Sequence, residues 1–159
     1  MQIGTRELVI GVAIAGVVAG GFTVRRCMRP KLSDRDQVAA DTRSLASEIV
    51  RGRASKVGAR LAPELTWRGM ARDELVDNLR AGTFFWRDGS AQLSRLEVTV
   101  TGTGSGVTAT STGDYLLRFR RSGDAPLETH GGLFELGWHK QRGRWRVTRA
   151  DRLELPRQN

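Results

Sequence analysis

One cysteine, Cys27, and four prolines stand among 159 residues. A single thiol allows no internal disulfide and no cysteine-based zinc cluster. Cys27 follows Val24-Arg25-Arg26 rather than the small apolar stretch that precedes a lipoprotein cysteine. It reads as a free thiol at a membrane margin, with palmitoylation as the alternative. Histidine is nearly as scarce: His130 and His139 are the only two, and their spacing makes no metal triad. Tyr115 is the single tyrosine. The chain shows no Ser/His/Asp set, no glycine-rich phosphate loop and no pair of carboxylates spaced for acid–base work. These absences lean against an enzyme, and no cofactor or metal is expected.

Lysine is also rare. Lys31, Lys56 and Lys140 are the only lysines among 26 basic residues, and the formal net charge is +9. The arginines are scattered among acids instead of forming a basic stripe with interleaved aromatics, so a nucleic-acid partner is not expected.

What the chain does have is unevenly placed. Residues 8–24 read LVIGVAIAGVVAGGFTV, without charge or proline. As a helix this run is about 25 Å long, close to the hydrocarbon thickness of a bilayer. We expect a transmembrane helix there. A cleaved signal peptide is the rival, with Ala19-Gly20-Gly21 as a weak exit site, but Arg25-Arg26-Cys27-Met28-Arg29 argues against export. Arg25, Arg26, Arg29 and Lys31 mark the C-terminal margin, against Arg6 on the other side. The positive-inside rule then places the following domain in the cytoplasm of an inner-membrane protein, with a periplasmic domain left open. Gly16 and Gly20 form a GxxxG pair, and Gly11, Ala15 and Ala19 repeat the spacing. Such a small-residue face lets another membrane helix approach closely.

Behind residues 25–32, a basic linker, the pattern becomes that of a folded domain over 33–156, with short tails at 1–7 and 157–159. Ser33 has the character of an N-cap, with Asp34 and Asp36 in the first turn. Val38, Thr42, Leu45, Ala46 and Ile49 share a helical face up to Gly52. Shorter helices are expected over 54–61 and 71–80. The period then changes to 2, predicting strands over 96–100, 107–111, 115–121, 133–140 and from Trp145 through Leu155. Thr112-Gly113-Asp114 reads as a turn, Gln141-Arg142-Gly143 as a hairpin turn, and His130 as a loop residue without an acidic partner. Tyr115, Leu117 and Phe119 fall on one strand face, which suits core packing. His139 lies opposite Phe134, Leu136 and Trp138 and should point outward. The class is α+β: one N-terminal transmembrane helix, then a cone-shaped domain of three helices packed on a curved antiparallel sheet.

The C-terminal hairpin, Gly132 to Trp138, Gly143, Trp145 and Val147, and the segment Leu61-Ala-Pro-Glu-Leu-Thr-Trp67 resemble the nuclear transport factor 2-like superfamily, which includes ketosteroid isomerase and SnoaL-like proteins. The resemblance spans about Asp34 to Leu155. It implies a bent sheet wrapping the helices, a frequent pocket, and frequent dimerisation through the sheet. Trp67, Phe84, Phe85, Trp86, Trp138 and Trp145 could line such a pocket or fill the core. Three consecutive aromatics in an extended segment cannot share one side, so Phe84, Phe85 and Trp86 are candidates for a partner contact. The leading expectation is a non-catalytic, membrane-anchored accessory subunit in contact with lipid, an integral membrane complex and, as a further option, a second copy. The alternative is a membrane-tethered binder of a small molecule, or an isomerase- or dehydratase-type enzyme using the cone cavity.

Overall fold

The computed structural model describes residues 32–83, 87–120, 124 and 126–153. The run 8–24, the small residues Gly11 to Gly20 and the margin Arg25 to Lys31 therefore lie outside the described residues, as do Phe84, Phe85 and Trp86. Among the described residues no helix is long and apolar enough to cross a membrane.

Ser33 caps helix α1 (Asp34–Val50) by accepting from the Asp36 amide at 3.1 Å. Asp34 and Asp36 sit where the helix N-terminus favours negative charge. Gly52, at φ 67°, turns the chain out of the helix. Helix α2 (Ala54–Arg60) follows. The Arg60 guanidinium ties it back to α1 by donating to the Asp41 carboxylate and the Ser44 hydroxyl.

The extended connection expected at Leu65 to Trp67 is a small hairpin. Strand β1 (Thr66–Trp67) pairs with β2 (Met70–Ala71) across Arg68 and Gly69, both at positive φ. Two adjacent left-handed residues give the twist that a two-residue hairpin needs. Helix α3 (Arg72–Thr83) starts next, and Arg72 fastens it to α2 through two bonds to the Gly58 carbonyl.

Four long strands form an antiparallel meander: β3 (Arg87–Thr101), β4 (Thr108–Arg120), β5 (Glu128–Gln141) and β6 (Arg144–Leu153). Arg142 and Gly143, both at positive φ, make the hairpin turn between β5 and β6 that the sequence predicts. The free edge of β6 is partly covered, because the Ala62 amide donates to the Val147 carbonyl beside a parallel Leu61–Val147 bridge.

The expected turn at Thr112-Gly113-Asp114 is not a turn. These residues continue β4, pairing with Phe134 and its neighbours on one side and with β3 on the other. The register against β3 shifts between Ser94 and Glu97, and Arg95 takes φ 49° there. Such a bulge bends a strand and increases its twist. Gly113 sits beside it because there is no room for a side chain. A Cβ would lie 2.9 Å from the Ser94 carbonyl oxygen and 3.1 Å from the Phe134 ring. Glycine and aspartate are turn formers in general, but here glycine serves a close approach inside a sheet.

The core gathers on the concave face of the sheet under α1 and α2. Val38, Leu45, Val57, Leu61, Leu65, Val98, Val107, Trp138, Trp145 and Val147 form one buried cluster. Among the described residues two polar side chains are buried with it, Thr42 and Ser111. The Trp138 indole N–H donates to the Ser111 hydroxyl at 2.9 Å, the Ser111 and Thr42 hydroxyls lie 3.2 Å apart, and Thr42 donates to the Val38 carbonyl at 2.8 Å.

Gly113→Ala should destabilise the domain by about 1–3 kcal/mol, the usual cost of forcing atoms into a filled interior. Gly82→Ala meets nothing within 4 Å and should be neutral or mildly stabilising near the end of α3. Urea unfolding of the two variants side by side checks both.

Candidate functional site

Helix α1 packs tightly over one end of the sheet and not over the other. Along the inner face of β4, Ala109 and Ser111 are covered, whereas Tyr115, Leu117 and Phe119 border open space. This space is a cavity of about 360 Å³. Its walls are Leu45, Ala46 and Ile49 of α1, Leu93 of β3, Tyr115, Leu117 and Phe119 of β4, and His130, Phe134 and Leu136 of β5. Trp67 and Thr42 complete it. The volume falls in the range of small-molecule sites, and an apolar wall with few polar groups is their usual character.

Besides the Trp67 indole, three lining residues carry polar side-chain atoms. The Thr42 hydroxyl is already engaged with Val38 and Ser111. Tyr115 is buried and shares its face with Leu117 and Phe119, as expected, but it forms a cavity wall and not solid core. His130 is the third, and here the structure corrects the sequence expectation. It lies within β5, not in a loop, and it has an acidic neighbour. Its Nε2 is 3.4 Å from the Glu128 carboxylate, at the long end for a hydrogen bond. Its ring stacks on Phe119 at a centroid distance of 5.1 Å with 6° between planes. Phe119 pairs directly with Glu128, and His130 with Leu117, so the three side chains share the inner face. The stack and the carboxylate together hold the imidazole in one orientation at the cavity wall.

The remaining candidates are distributed differently. Trp67 lines the cavity, whereas Trp138 and Trp145 are core residues. His139 is on the face of β5 opposite Phe134, Leu136 and Trp138, as predicted. Among the described residues no group of His, Cys, Asp and Glu is placed to hold a metal. The period-2 alternation back from Phe134 reaches Gly132, His130 and Glu128, which would have placed the pair on the inner face. Gly131-Gly132 obscured it by resembling a loop.

A second concavity lies at the bulge. Arg95 grips Asp114 through Nε to Oδ2 and through Nη2 to Oδ1 at 2.7 Å. This forked hydrogen bonding holds the Asp114 carboxyl below its ordinary range, and the same bond raises Arg95 further.

The arrangement of helices and sheet matches known structures. A protein from Novosphingobium aromaticivorans assigned as a scytalone dehydratase superposes with a TM-score of 0.61 at 14% identity, covering 72% of this chain and 79% of that one. An NTF2-like protein with a cystatin-like fold from the same organism gives 0.56 at 15% identity, over 84% of each chain. The fold is NTF2-like. A Xanthomonas campestris protein assigned as a calcium/calmodulin-dependent protein kinase II association domain gives 0.58 at 14% identity over 71% of this chain and 81% of that one. No family model matches the sequence, and no curated protein does. At these identities the likeness is one of fold, and NTF2-like folds carry several functions.

Because the Asp114 pKa is lowered by folding, the Arg95 pair contributes stability above the ordinary carboxylate value of 3.8 and loses it as the pH falls through the lowered one. Thermal midpoints of wild type and Asp114→Asn should therefore differ at neutral pH and draw together as the pH falls below the ordinary carboxylate value of 3.8.

Proposed function

We propose that this domain binds an apolar small molecule in the cavity between α1 and the sheet, while residues 8–24 hold it at a membrane, with the domain on the cytoplasmic side. The hollow end of the cone supports this reading. A purely structural domain of this fold gains by filling that space, since interiors pack to high density and voids are destabilising. Here instead about 360 Å³ stays open, with apolar walls and one oriented imidazole. Among the described residues of the wall, His130, backed by Glu128, and the Tyr115 phenol are groups suited to moving a proton. An isomerase- or dehydratase-type reaction would use His130 as its base.

Ala46→Phe projects a ring into the cavity and should abolish binding of naphthalene, an apolar probe, without lowering the thermal midpoint. Binding is measured by equilibrium dialysis of the full chain in nanodiscs. Equal naphthalene binding by both forms would refute the reading.

A second reading rests on a different observation. The Gly16/Gly20 pair and its neighbours Gly11, Ala15 and Ala19 suit helix packing in a membrane, and Phe84 to Trp86 suit a partner contact. On this reading the chain is an accessory subunit of an integral membrane complex. A second copy is the other partner this reading allows: association domains share the fold, and Leu133 is exposed on the outer sheet face. Under this reading, partners that co-purify in mild detergent should be lost when Gly16 and Gly20 are both replaced by Leu. Purification of a lone monomer would rule it out.

A further inference from the structure

The arginines of the domain are of two kinds. Arg53, Arg60, Arg72, Arg80, Arg95 and Arg149 each face a carboxylate. Arg142, Arg144 and Arg146 have no ion-pair partner among the described residues. All three belong to the β5–β6 hairpin. Trp145 and Val147 are buried in the core, so strand alternation puts Arg144 and Arg146 on the outer face. Arg142, in the turn, and Arg144 are exposed. The register carries this face across the sheet: Arg146 lies beside His139, His139 beside Thr108, and Thr108 beside Thr101. No carboxylate stands in that row. Of the acids near this end, Asp34 is bonded to Lys140, Glu64 to Gln141 and Asp36 to the Ser33 hydroxyl.

The same end is where the chain enters the domain. Lys140, next to His139, donates to Asp34 in the first turn of α1. Ahead of Ser33 come the eight residues 25–32, four of them basic. Eight residues span at most about 29 Å when fully extended. Residues 8–24 in a bilayer, as proposed above, thus keep Asp34 within that distance of the headgroups. We infer that the outer face of the β5–β6 hairpin, Arg142, Arg144 and Arg146 with His139 and Thr108, is a docking surface for anionic lipid headgroups. Guanidinium groups bind phosphate through their forked donors, and a threonine hydroxyl adds another. The potential of an anionic leaflet falls off within a Debye length, about 10 Å at 0.1 M salt, so it acts on basic groups that a short linker holds close. This inference rests on residues 8–24 holding the chain at a membrane, and it adds which face of the domain meets lipid and of what charge.

The test follows phenylglyoxal modification of individual arginines by mass spectrometry. The full chain is placed in nanodiscs of phosphatidylcholine alone or with about 30% phosphatidylglycerol. Arg142 and Arg144 should react at least about threefold more slowly in the anionic discs. Arg43 and Arg118, exposed on other parts of the domain, should react equally in both. Salt at about 1 M, where the Debye length is near 3 Å, should erase the difference. Arg144→Glu should reduce the protection of Arg142 to less than about 1.5-fold. Equal rates for Arg142 and Arg144 in the two discs, or equal slowing of all four arginines, overturn the inference and leave the anchor standing. Protection by a short RNA in phosphatidylcholine discs, without protection by phosphatidylglycerol, overturns it in favour of a nucleic-acid face. If the full chain elutes apart from phosphatidylcholine discs, anchoring by residues 8–24 is itself refuted, and the inference with it.

Discussion

Trp138 enters the interior with an indole N–H that must find an acceptor, and the rest of the domain is arranged around the answer. Ser111, on the neighbouring strand, accepts it. Thr42 of α1 spends its own proton on the Val38 carbonyl, so the Ser111 hydroxyl is left to donate to Thr42. The chain of bonds passes from β5 through β4 to α1. Each bond contributes only about 0.5–1.5 kcal/mol net, but leaving any of these buried groups unpaired costs more. The helix is thereby held at one height and one rotation over the sheet. Val38 and Leu45 then fall into the packed cluster, and Ala46 and Ile49 face the space beyond it.

That space exists because the sheet bends away from the helix. The bend is made by the bulge between Ser94 and Glu97, with Arg95 in the left-handed region and Gly113 lying against it without a side chain. The forked Arg95–Asp114 pair closes the outer side of the same bend. A flat sheet would lie against α1 along its whole length and leave nothing to bind in. The clamp at Trp138 and the bend at Gly113 thus divide the cone into a solid end and a hollow one. His130 and Glu128 belong to the hollow end because β5 runs continuously from one to the other.

Much of the fold was legible in the residues. The Ser33 cap, the helical face from Val38 to Ile49 and the Arg142-Gly143 turn were all readable from local patterns. So was the α+β order, which led to an NTF2-like expectation that the structural comparisons support. The failures share a cause. Gly113-Asp114 and Gly131-Gly132 are strong turn formers locally, yet both lie within long strands because their neighbours across the sheet leave no room for a side chain at Gly113 and little at Gly131. The β1–β2 hairpin was missed because two-residue strands show no period.

The sequence by itself determined the class of the domain, the caps and turns that bound its elements, and the apolar run ahead of it. Those are properties of a few neighbouring residues, set by helix period, strand alternation and backbone preference. Only the tertiary structure decided that Tyr115 faces a cavity and not solid core, and that His130 has a carboxylate beside it and a ring beneath it. The first depends on how far a bent sheet stands from a helix some seventy residues earlier in the chain, a distance that no local pattern records; the second depends on β5 continuing through Gly131-Gly132 and on its pairing with β4.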